Sequence, residues 1–91
     1  MKSIFKFTLE MTGTQEVEMP RDSTPLSVQQ QNSSACIWAL VDPATPIKNR
    51  AVWIFGTGHK IPDSIMDDMN FLGTVQQANG ALVWHIFISK N

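Results

Sequence analysis

Apolar and polar residues alternate with a period of two along much of this chain. In Ser3–Leu9, Phe5, Phe7 and Leu9 point one way and Ile4, Lys6 and Thr8 the other, which predicts a half-buried strand. Thr12-Gly13-Thr14 reads as a turn, and Gln15–Met19 alternates again, with Val17 and Met19 opposite Glu16 and Glu18. Together the two runs predict a hairpin. After Pro20–Pro25, Leu26–Gln31 reads as a third strand with Leu26 and Val28 inward. Asn32-Ser33-Ser34 turns the chain into a fourth, Ala35–Asp42. Two prolines then interrupt any ladder over Asp42–Pro46. Ala51–Phe55 is a fifth strand, Phe71–Gln77 a sixth and Ala81–Ser89 the last, with the Asn79-Gly80 hairpin dipeptide between the final two. Only His59–Asn70 has helical character. Asp63 is placed to cap a turn or two.

Seven short strands separated by turn signals predict one all-β domain over residues 1–91, mainly antiparallel. A compact sandwich or a partly open barrel fits the pattern. Three of the strands are apolar on both faces: Ala35–Val41, Ala51–Phe55 with Val52 and Ile54 against Trp53 and Phe55, and Leu82–Ile88 with Leu82, Trp84, Ile86 and Ile88 against Val83, His85 and Phe87. A core of this size covers one face of each. The other faces call for a further layer, a ligand or a partner subunit. A homo-oligomer is expected, a two-fold dimer or a dimer of dimers, unless the His59–Asn70 segment folds over one face.

Charge narrows the partners. The formal net charge is −1 and only 16% of residues are charged, which argues against general nucleic-acid binding. No apolar run is long enough to span a membrane, and Met1–Lys6 does not resemble a signal peptide, so a cytoplasmic location is expected. The single cysteine, Cys36, has no intramolecular partner and lies in an apolar run, where a buried thiol is expected. No nucleophile–base–acid set and no metal-ligand spacing is visible, so neither catalysis nor a cofactor is expected.

The candidate chemistry lies at the end of the fifth strand, in Gly56-Thr57-Gly58-His59-Lys60. Glycines let successive N–H groups converge on an anion. The Thr57 hydroxyl adds a donor, and His59 and Lys60 can add charge. Arg50 precedes the same strand, and its planar fork suits phosphate. A plain tight turn with a surface lysine explains the same residues. Trp38, Trp53 and Trp84 read as core, but an exposed indole can stack a nucleobase. Gln29, Gln31, Gln76 and Gln77 each offer a donor and an acceptor side by side for a base edge.

Six motifs occur in order: Gln15-Glu16-Val17-Glu18-Met19-Pro20, Leu26-Ser27-Val28-Gln29-Gln30-Gln31, Trp38-Ala39-Leu40-Val41-Asp42-Pro43, Gly56-Thr57-Gly58-His59, Gly73-Thr74-Val75-Gln76 and Leu82-Val83-Trp84-His85. Across nearly the whole chain this string resembles a family of small phage-encoded proteins. That family is similar to the nucleotide "sponges" that blunt cyclic-nucleotide defence signalling of the CBASS, Pycsar and Thoeris kind. The resemblance implies an anti-defence protein in the cytoplasm of the infected cell. It would bind a cyclic nucleotide, or a signal of the cyclic ADP-ribose type, without cleaving it. The expected binding set combines Trp38 or Trp84 on the base with Gln29 or Gln76 at its edge. Arg50, His59, Lys60 and the Gly56, Thr57 and Gly58 segment would hold phosphate. An inhibitory module that binds a host protein is the alternative.

Overall fold

The computed structural model describes residues Met1 to Lys90. Alternation and turn chemistry divide the chain into seven strands: β1 (Ser3–Thr8), β2 (Thr14–Pro20), β3 (Thr24–Gln31), β4 (Ser34–Val41), β5 (Ile47–Gly56), β6 (Met69–Gln77) and β7 (Leu82–Ser89). They form two antiparallel sheets, one in the order β1-β4-β3 and the other β2-β5-β7-β6. The expected all-β class is what the structure has, as two sheets that do not close into a barrel. The inner faces meet in one core built from Leu9, Met19, Val28, Ile37, Val41, Val52, Ile54, Val75, Ile86 and Ile88, with Ala35 and Ala39 between them. The thinnest dimension is 16 Å, as expected for two sheets about 10 Å apart.

Three connections cross between the sheets. The first corrects the expected N-terminal hairpin: β1 pairs with β4, and β2 with β5. The alternation on either side of Thr12-Gly13-Thr14 mimics a hairpin, but Leu9 instead enters the core and its N–H donates to the Ala35 carbonyl. The Gln15 amide accepts from the Glu10 N–H at 3.0 Å and donates to the Glu10 carbonyl, satisfying backbone groups that a ladder would have used. The second crossing, Arg21–Ser23, places Asp22 at φ 60° and buries Ser23, whose hydroxyl donates to the Pro20 carbonyl. The third runs through Asp42–Pro46, where Asp42 accepts from the Ala44 N–H at 3.0 Å.

Other departures have local causes. A bulge between Pro25 and Ser27 takes Leu26 out of register, and the side chain expected inside is 51% exposed. A second bulge, between Phe71 and Gly73, lies in β6. The short helix α1 (Asp63–Met66) starts from Pro62 and has no side-chain cap, so Asp63 sits in the first turn and does not cap it. Asn79-Gly80 does connect β6 to β7, as a 3₁₀ turn over Ala78–Gly80 with Asn79 at φ 56°. Cys36 is buried on the outer side of β4, 3.7 Å from the Thr8 hydroxyl. No helix among the described residues is long and apolar enough to cross a membrane.

Candidate functional site

Where β5 ends, Gly56 is the last inward-facing position and Thr57 the first residue of the turn. The His59 N–H donates to the Gly56 carbonyl at 3.1 Å, and the Gly56 N–H donates back to His59 Nδ1 at 3.1 Å. This pair folds the imidazole onto the strand end. It needs glycine there, because a Cβ at residue 56 would stand 2.8 Å from His59 Cε1. Gly58 completes the turn at φ 87°. Since Nδ1 accepts, the neutral ring carries its proton on Nε2 and offers it outward. Nitrogen-15 NMR should find His59 in the Nε2–H tautomer, and Gly56→Ala should swing the ring out and mix the two tautomers.

The opposite wall comes from the start of β7. Thr57 N–H reaches the Val83 carbonyl at 3.4 Å, and the Trp84 ring lies edge-on to His59 with centroids 6.5 Å apart. Trp84 Nε1 donates to Gln77 Oε1 at 3.0 Å, and Gln77 Nε2 in turn donates to the Ser33 carbonyl at 3.4 Å. The indole is thereby anchored to the β3–β4 turn. Gly56, Thr57 and His59 on one side and Ala81, Leu82, Val83 and Trp84 on the other enclose an open pocket of about 210 Å³. Pockets for drug-sized ligands begin at about 300 Å³, so this one admits roughly one planar ring.

Of the expected binding residues, Gly56, Thr57, His59 and Trp84 line this pocket, and Gly58 and the exposed Lys60 adjoin it. Arg50 does not join them. Six residues back along β5, about 20 Å away, it points into the core and is only 4% exposed. Its guanidinium donates to the Ser23 carbonyl at 2.8 Å and to the Ser89 carbonyl, with Met19 Sδ at 3.8 Å. Burial pushes its pKa below the ordinary value, and Asp22 pulls it partly back. Its Nε finds no partner. The residue ties the β2–β3 crossing to the end of β7, and no free donor fork remains for phosphate.

Trp38 and Gln29 are also elsewhere, on the outer face of the three-stranded sheet. Gln76 faces away from the pocket, because its neighbour Gln77 has the inward parity of Val75 and Trp84. That parity was the signal for Gln77: Val75 and Gln77 are two apart, on the same side of the strand. Sequence reasoning also passed over a polar island on the outer side. His85 lies between two hydroxyls, with Nε2 2.8 Å from Thr57 Oγ1 and Nδ1 3.0 Å from Thr74 Oγ1. The two histidines thus lie on either side of Thr57, and His85 is not among the pocket-lining residues. Among the described residues, no cluster of three or more His, Cys, Asp or Glu side chains could hold a metal ion.

Fold and site define a two-sheet antiparallel β protein with a small, ring-sized pocket at one end of the larger sheet. The chain belongs to the DUF7352 family, a domain of unknown function whose model matches residues 1–91. No curated protein and no solved structure matches it.

Proposed function

We propose that this protein binds a small nucleotide signal and holds it without cleaving it. The observation that carries the reading is the pairing of a fixed indole, Trp84, with a fixed donor set across one ring-sized pocket. A nucleobase would stack on Trp84. The ligand's sugar or phosphate would meet the His59 Nε2–H and Lys60, while the Thr57 hydroxyl is engaged by His85 on the outer side. With Arg50 in the core, Lys60, next in the chain to His59, is the cation this reading assigns to the ligand, which favours a ligand with a single phosphate per chain. A signal with two or more phosphates would need pockets from two copies. The resemblance to phage nucleotide sponges points to a cyclic nucleotide or a cyclic ADP-ribose isomer, bound in an anti-defence role. Depleting such a signal calls for nanomolar affinity, about −12 kcal/mol.

A thermal-shift panel of cyclic mono-, di- and trinucleotides and cyclic ADP-ribose isomers tests this. Ligand at a hundred times Kd adds about 2.7 kcal/mol of stability, which raises Tm by roughly 10–20 °C in a domain of this size. Trp84→Ala should abolish the shift. The ligand released by heating should be intact, and a hydrolysed product would make the protein an enzyme. A flat panel overturns the nucleotide reading. It would favour the alternative, a module that binds a host protein.

A further inference from the structure

The four-stranded sheet has an outer face that the core does not use. Val52, Ile54, Ile86 and Ile88 point inward, so their strand neighbours point out. Trp53 lies opposite Phe87 and Phe55 opposite His85, while Phe71 on β6 lies opposite Phe87. The three phenylalanines form one row. Phe55 and Phe87 pack edge to face with centroids 5.9 Å apart, and Phe71 and Phe87 do the same at 5.3 Å. Phe71, at 59% exposure, stands in solvent. We infer that this face is the dimerisation surface of the protein and that its occupant is the same face of a second copy.

Three properties select a second copy. First, the row is electrostatically self-complementary. Adjacent rings lie at 72° and 62° to each other, so it presents both electron-rich ring faces and electron-poor ring edges. A two-fold axis near Phe87 would bring edges of one row onto faces of the other. Second, the centre of the face carries no formal charge; the carboxylates within the four strands, Glu16 and Glu18, lie on the edge strand β2. A copy therefore meets no like charge there, and a basic or acidic partner finds nothing to pair with. Third, the polar island on this face is already satisfied. Both His85 ring nitrogens are hydrogen-bonded, to Thr57 and Thr74, so covering them strips no unpaired nitrogen of its water.

The extent fits as well. Four strands about 4.8 Å apart, each about eight residues long at 3.3 Å per residue, span roughly 500 Å² in projection. Side-chain relief brings the accessible area towards the roughly 800 Å² per partner of an ordinary stable interface. This inference is independent of the nucleotide reading, because the pocket does not use the aromatic row.

Size-exclusion chromatography with light scattering tests it. The wild-type protein at about 100 µM should have twice the 10.2 kDa chain mass, or an even multiple of it. Phe71→Lys places two like charges across the two-fold axis and should halve that mass. Ile4→Lys, at a 58% exposed position on the outer face of the other sheet, should not. A wild-type protein at the single-chain mass overturns the proposal and leaves the face for a different protein. A mass unchanged by Phe71→Lys, or halved by Ile4→Lys, also overturns it. Should Phe71→Lys fail to fold, isotope-filtered NOEs between labelled and unlabelled wild-type copies decide. Contacts among Phe71, Phe87 and Trp53 are expected, and their absence overturns the proposal. The thermal-shift panel on Phe71→Lys keeps the two proposals apart, since a monomer that still binds nucleotide separates the interface from the pocket.

Discussion

Replacing Arg50 with alanine should cost about 3 kcal/mol of stability. The carbonyls of Ser23 and Ser89 would lose their donor in a site closed to water, at roughly 1–3 kcal/mol each before relaxation. A cavity beside Met19 adds to this. In a domain of this size the loss corresponds to a fall in Tm of roughly 12–24 °C. Arg50→Met keeps the aliphatic packing and removes a buried charge whose Nε is orphaned, so it should recover part of the loss. The sign of any pH dependence follows from the direction of the shift. Burial lowers the pKa of this base, so its desolvation penalty is fully present at every pH below the folded value and is relieved only as pH rises through it. A guanidinium stays protonated at ordinary working pH, so the deficit should be constant between about pH 5 and 9. Urea unfolding of the three proteins across that range measures both effects. A wild-type midpoint for Arg50→Ala would show that Arg50 does not hold the crossing.

The second large effect is expected at Gly73. The inner faces of β3 and β6 approach so closely there that a Cβ would stand 2.7 Å from Val28 Cγ1. Val28 is a β-branched core residue with little rotamer freedom, 7% exposed. Gly73→Ala should therefore overpack the contact and cost about 2 kcal/mol. Val28→Ala alone should cost a comparable amount by leaving a cavity. The double variant should be more stable than the sum of the two losses implies, by at least about 1 kcal/mol, because each change removes the other's defect. Additive losses would show that the two side chains do not meet.

Much of the fold was legible because strand alternation is a local property. Val52 and Ile54 against Trp53 and Phe55 read correctly from the sequence, as did Trp84, Ile86 and Ile88 against His85 and Phe87. Pairing is not local, and there the reading failed. Nothing within Ser3–Met19 says that β1 finds its partner in Ser34–Val41, more than twenty residues on, in place of its neighbour β2. Bulges are equally silent, which is why Leu26 was expected inside. The candidate site was legible where it is one contiguous turn, Gly56 to His59. Its opposite wall was legible only as far as Trp84. Arg50 misled because a cation in a strand next to a glycine turn looks the same whether it ends in solvent or beneath a crossing. The deciding groups are backbone carbonyls at Ser23 and Ser89, which no side-chain pattern encodes. Gln77 shares the parity of Val75, which the sequence shows, but that Trp84 is its partner follows only from the β6–β7 register.

The exchange of partners at the N-terminus also governs the order in which the chain can fold. The three-stranded sheet needs nothing beyond Val41, so it can assemble as soon as that residue leaves the ribosome. β2 is made early but must wait for β5, and β5 for β7 near the C-terminus. During synthesis β2 therefore hangs unpaired between two finished strands of the other sheet, and its outward Glu16 and Glu18 keep that waiting edge charged and soluble. Refolding of the full chain should be correspondingly slow, on the order of milliseconds to seconds, since its decisive contacts join distant segments.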